Sequence, residues 1–218
     1  MDEHKYKIGD LYKHNHFKRR KINGEWCYWR DGDNYAEGML SNLKRKTTET
    51  NQNEDMAACN PKYLKGGVYK NNCISCALAY DMRRRGYDVE SAPIDTTSAT
   101  NGSLPVQLGF YKGEKLEVFE VPKDLYAATK QFSNQILKYG DGSRGMLRIR
   151  WKNDDGHAVI WEVDGNSVIV RDPQNNTIVD LSDYMRRAKT FYYFRTDNLE
   201  PTKKVTQFVK NRQSKEGD

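Results

Sequence analysis

The sequence predicts an α+β fold in which a cysteine-bearing helix packs on an antiparallel sheet. Three observations point there. Apolar residues recur at helical spacing over residues 72–85 and 124–139. Residues 146–151 alternate apolar with basic side chains, as a half-buried strand does. Residues 156–163 and 166–172 read as two strands joined by the turn Asp164-Gly165.

Each element has a local cause. Gly86 suits a left-handed cap and closes the first helix. Asp124 behind Pro122 caps the second, whose Leu125, Ala128, Phe132, Ile136 and Leu137 share one face, and Gly140-Asp141-Gly142 ends it. A polar loop fills residues 95–105, with the length of a lid or a surface connection. A short helix is expected after a Ser182 cap, then a closing strand at 191–194.

The chain has 218 residues, enough for one good core and a small appendage. Residues 1–60 read as a polar extension, residues 61–200 as the globular domain, and residues 201–218 as a charged tail. The formal charge of +6, from 36 basic against 30 acidic residues, is a moderate excess that does not choose a partner. No run has the length of a membrane span and the N-terminus lacks a secretory core, so synthesis in a cytoplasm is expected and no membrane partner. Cys27, Cys59, Cys73 and Cys76 are read as thiols, since a chain this large needs no disulfide staples.

The chemistry gathers at two places. If Val163 pairs with Asn166, His157 falls opposite Asp172 on one face of the hairpin, an arrangement in which a carboxylate orients an imidazole. His4, His14 and His16 all lie in the extension, so the globular part carries one imidazole. Upstream, Cys73 stands where a helix begins, and free amides at a helix start favour a thiolate. Cys76 lies one turn further in and replaces Cys73 as nucleophile if the helix starts later. Gln174 is placed to donate its amide to substrate or to a developing oxyanion, with Asn72 or backbone N–H groups near Cys73 as the other donors.

Blander readings compete with each of these. Two cysteines in one helix commonly pack as small apolar residues, and Asp172 before Pro173 suits a turn. The Cys-x-x-Cys spacing is also half a zinc site or a dithiol pair, but Cys27 and Cys59 do not form a second ligand pair. Arg83-Arg84-Arg85 reads first as favourable charge at a helix C-terminus. The bland reading is also preferred for Lys18-Arg19-Arg20-Lys21, which beside Trp26, Tyr28 and Trp29 makes a basic, aromatic patch of the kind that binds nucleic acid, a partner not favoured here.

Taken together, Asn72-Cys73-Ile74-Ser75-Cys76 with the helix end Arg85-Gly86-Tyr87-Asp88-Val89, then Gly156-His157-Ala158, then Asp172-Pro173-Gln174, resembles the papain-fold toxin (Tox-PL) domain over residues 61–196. The resemblance implies a papain-like cysteine hydrolase fold with Cys73 as nucleophile, His157 as base and Asp172 as its orienter; Gln174 matches the family's glutamine. It implies protein-glutamine deamidation, with peptide-bond cleavage as the alternative, since both pass through the same tetrahedral oxyanion. Neither cofactor nor metal is needed. Family members occur in polymorphic toxins and in or beside phage head proteins, so an immunity protein, phage structural proteins, packaging in a virion and delivery to a target cell are all implied. The competing reading is a phage virion or cargo protein that uses such a domain for binding. Residues 1–60 carry no part of the resemblance.

Overall fold

The computed structural model describes residues 40–93 and 109–212, together with the backbone of four short strands between residues 5 and 27. Those four form two ladders, β1 (Lys5–Lys7) with β2 (Lys13–His16) and β3 (Arg20–Ile22) with β4 (Glu25–Cys27). The loop expected at 95–105 and the side chains of the basic and aromatic patch lie outside the described residues.

The main body is built on a six-stranded antiparallel sheet. Its strands are β6 (Glu117–Glu120), β7 (Arg144–Trp151), β8 (Gly156–Asp164), β9 (Ser167–Asp172), β10 (Thr177–Val179) and β11 (Ala188–Arg195), in the order β10-β9-β8-β7-β11-β6. A helix covers each face. On one, α2 (Cys73–Arg84) buries Ile74, Ala77, Leu78 and Met82 against Met146, Ala158, Ile160 and Phe194. On the other, α3 (Leu125–Leu137) and α4 (Leu181–Arg187) bury Phe132, Ile136 and Met185 against Leu147, Ile149, Val159 and Trp161. The strand residues split between the two cores by parity, as the pleat requires.

Several elements follow from sequence-local chemistry. Asp124 caps α3 by accepting from the Ala127 amide, and Gly86 turns the chain after α2 with φ 87°. Helix α4 begins two residues earlier than expected, because Asp180, and not Ser182, is its cap and accepts from the Ser182 amide. Strand β11 is not a closing edge: it runs from Ala188 to Arg195 between β7 and β6.

The half-buried assignment of residues 146–151 is corrected. Strand β7 is central and covered on both faces, so two of its arginines are taken inside: Arg148 is fully buried, and the Arg144 Nε donates to Asp81 Oδ1 of α2 at 2.8 Å, while Arg150 stays part-exposed and pairs with Asp154. Burial opposes the Asp81 charge, but Arg144 and Arg85 outweigh it and hold that carboxyl down at about 2. The Arg83-Arg84-Arg85 run closes α2, as read, and is also engaged in ion pairs. Arg83 and Arg84 pair with the buried Asp55, and Arg85 pairs with Asp81.

Two boundaries also move. The folded unit reaches back before residue 61: α1 (Gln52–Ala57) opens on a capping box of Asn51 and Glu54, and Met56 and Cys59 join the α2 core. At the other end, part of the expected tail is structural. Strand β12 (Val209–Asn211) pairs with β5 (Val89–Ser91), and Val205, Phe208 and Val209 are buried, with Phe208 edge-on to Phe110 at 5.0 Å. Its lysines conceal three apolar side chains that one core requires. Phe208→Ala is therefore expected to lower the unfolding free energy by about 3 to 5 kcal/mol in a denaturant titration; an unchanged midpoint would make residues 203–211 the dispensable tail that their charge implies.

Candidate active site

Helix α2 starts without a side-chain cap. Asn72 occupies the cap position, but its amide points into the core, where Nδ2 donates to Ser91 Oγ at 3.1 Å and Oδ1 accepts from Gln174 Nε2 at 3.3 Å. The first intrahelical bond runs from the Cys76 amide to the Asn72 carbonyl at 3.0 Å. The amides of Cys73, Ile74 and Ser75 precede it and have no intrahelical acceptor. Cys73 is the first helical residue and is part-exposed.

Cys76 is placed differently. It is fully buried against the α2 core and hydrogen-bonded with Ser91, and burial pushes its thiol well above the ordinary range. Cys59 is also buried; its thiol donates to the Asp55 carbonyl, and burial raises it strongly too. All three are free thiols.

The hairpin keeps its two strands but not the expected register. Asp164 pairs with Ser167 and Val163 with Val168, so the turn is Gly165-Asn166, with Gly165 at φ 57° in the first central position of a II′-type turn. Relative to expectation the return strand slips by two residues. A two-residue slip preserves the face, so His157 and Asp172 become diagonal neighbours on one side rather than direct partners. Their side chains still meet: His157 Nε2 lies 2.7 Å from Asp172 Oδ2.

The second ring nitrogen is not spent on Asp172, and the Cys73 thiol lies near enough to the ring to act on its charge. Burial alone disfavours a charged ring, but hydrogen bonds and charge at Asp172 and Cys73 prevail and push the imidazole up to about 10. Asp172 is almost fully buried at 1% exposure, and its Oδ1 accepts from the Gln174 backbone amide at 3.1 Å.

Gln174 and Asn72 are brought to the site, but their side-chain amides are buried and bonded to each other. The Gln174 side chain donates to Asn72, and the Gln174 carbonyl accepts from Asn60 Nδ2 at 2.9 Å, so both side-chain amides serve as struts beneath the α2 start. The donors left for an oxyanion beside Cys73 are backbone N–H groups. Two further residues frame the ring and went unread in the sequence. Trp151, the last residue of β7, stacks over His157 with 20° between planes, and Tyr184 of α4 stands edge-on to the same ring. The β7–β8 pairing sets Trp151 beside the ring, and only the packing of α4 against the sheet end brings Tyr184. Among the described residues no group of three or more His, Cys, Asp or Glu side chains converges as a metal site, and no helix is long and apolar enough to cross a membrane.

Residues 71–177 match the family model described as papain fold toxin 1, glutamine deamidase. Among solved structures, the chain is similar to the Pseudomonas avirulence protein AvrPphB at 14% identity and a TM-score of 0.31, over 58% of this chain and 69% of that one. No curated protein matches.

The burial difference predicts selective labelling. In the native protein iodoacetamide is expected to alkylate Cys73 and leave Cys59 and Cys76 unmodified until denaturant is added, as read by fragmentation of the tryptic peptides. Native labelling of Cys76 at a comparable rate would mean that the α2 start is open and that the two thiols are not distinguished by the fold.

Proposed function

From the match of residues 71–177 to the family model described as papain fold toxin 1, glutamine deamidase, we propose that this chain is a cysteine-dependent amide hydrolase that deamidates glutamine side chains of a protein substrate. The observation that carries the reading is the convergence of a part-exposed sulfur, an imidazole and a buried carboxylate inside that segment: Cys73 lies near the ring of His157, whose Nε2 lies 2.7 Å from Asp172. Cys73 is the nucleophile in this reading. Cys76, weighed beside it, is buried and committed to Ser91.

The steps follow from the geometry. The Cys73 sulfur attacks the carboxamide carbon, and the developing oxyanion is received by the unpaired amides at the α2 start. His157, held as an imidazolium by Asp172 and Cys73, gives its proton to the departing ammonia. The neutral ring then takes a proton from water as that water attacks the thioester; the sulfur leaves, the imidazolium is restored, and the product is glutamate. Gln174 and Asn72 support the reaction by holding the α2 start against the loop after β9. A peptide bond would pass through the same intermediates, and glutamine is preferred on the family match. Packaging in a phage virion, delivery to a target cell and an immunity-protein partner rest on the sequence resemblance alone.

The test is mass spectrometry of candidate host proteins incubated with the enzyme. Wild type is expected to add about 1 Da at specific glutamines, Cys73→Ala to add none, and Asp172→Asn to slow the reaction by about 10³ to 10⁴-fold. New peptide termini in place of the mass gain would make the enzyme a peptidase. Deamidation that persists in Cys73→Ala would overturn the mechanism.

A further inference from the structure

We propose that Tyr184 is a positioning residue of this site, holding the Asp172 carboxylate with its hydroxyl and the His157 ring with its edge. The inference rests on the hydrolase reading above and extends it to α4, which supplies no residue of the Cys73–His157–Asp172 constellation. The Tyr184 Oη donates to Asp172 Oδ2 at 3.1 Å, the same oxygen that His157 Nε2 approaches at 2.7 Å. The Tyr184 ring stands at 75° to the imidazole, 6.1 Å between centroids, and at 86° to Trp151, 5.3 Å away. Trp151 in turn stacks on His157, with the Arg187 guanidinium 4.7 Å from the Trp151 ring. One aromatic side chain thus touches the imidazole and both side chains, Asp172 and Trp151, that hold it from behind.

The hydroxyl has an electrostatic consequence. A donor shared with Oδ2 draws charge away from the carboxylate oxygen that faces the ring, so Asp172 grips the imidazolium less tightly than it would unaided. A ring gripped too tightly is a poor acid toward departing ammonia. The groups that face His157 are Asp172 from β9, Cys73 from α2, Tyr184 from α4 and the neutral Trp151 of β7, on whose ring the Arg187 guanidinium lies. Burial and the neighbouring Asp172 raise Tyr184 far above its ordinary value, so it remains a donor throughout the working range.

The experiment compares the full chain with Tyr184→Phe, which keeps the ring contacts and deletes the hydroxyl. The His157 ring is followed by NMR across pH, with unfolding midpoint and deamidation of host glutamines measured on the same samples. The titration midpoint of His157 is expected to move up by about 0.5 unit or more, with kcat lowered roughly tenfold, KM held and the unfolding midpoint little changed. A lowered unfolding midpoint with unmoved His157 titration and unmoved kcat would reduce Tyr184 to packing and overturn the proposal. If wild type deamidates nothing while the titration still shifts, the linkage between Tyr184 and His157 stands and the hydrolase reading falls. If wild type is active and Tyr184→Phe matches it in both titration and rate, the positioning proposal alone falls.

Discussion

The Asp172 carboxylate is the constraint on which this site depends. A charge buried to 1% exposure is costly unless its oxygens are satisfied, and each donor that satisfies it comes from a different segment. His157 approaches from β8, the Gln174 amide from the loop after β9, and Tyr184 from α4. Satisfying the charge therefore fixes three pieces of chain relative to one another. The imidazole is oriented as part of that arrangement, with one nitrogen spent on the carboxylate and the other available to sulfur.

A second set of polar contacts brings the sulfur to meet it. Gln174 donates to Asn72, Asn72 to Ser91, and Asn60 to the Gln174 carbonyl, so the loop that carries the Asp172 donor is tied to the residue before Cys73. These amides are buried and were read in the sequence as groups that face a substrate. Their work is done from beneath: they fix how far the α2 start lies from the sheet end, and they leave the backbone amides there uncapped.

The parts of this architecture that were legible are those written in local chemistry. The helices at 73–84 and 125–137, the hairpin, and the pairing of His157 with Asp172 all follow from caps, periodicity and the two-residue repeat of a strand. Even the wrong turn did little harm. Asp164-Gly165 and Gly165-Asn166 both read as tight turns, and choosing between them slips the strand by two residues, which returns the same face. What was illegible depends on contacts far apart in the chain. The basic residues of β7 imitate a solvent face until Asp81 of α2 is seen to neutralise Arg144, and the lysines near the C-terminus hide Phe208 and Val209 in the core. Trp151 reaches His157 through the pairing of β7 with β8, whereas Tyr184 carries no local sign at all, because only the docking of α4 at the sheet end brings it there.

The most direct measurement of the central interaction is the unfolding free energy of wild type and His157→Gln across pH. The ring titrates at about 10 when folded, against an ordinary value of 6.5, so the folded state holds a proton that the unfolded chain has lost between those limits. The stabilising contribution is therefore complete below the lower value and is lost as pH rises through the upper one. The account predicts that the difference between the two proteins is largest and level below pH 6.5 and shrinks steadily toward pH 10. A difference that stays constant over that range, or widens, would contradict it.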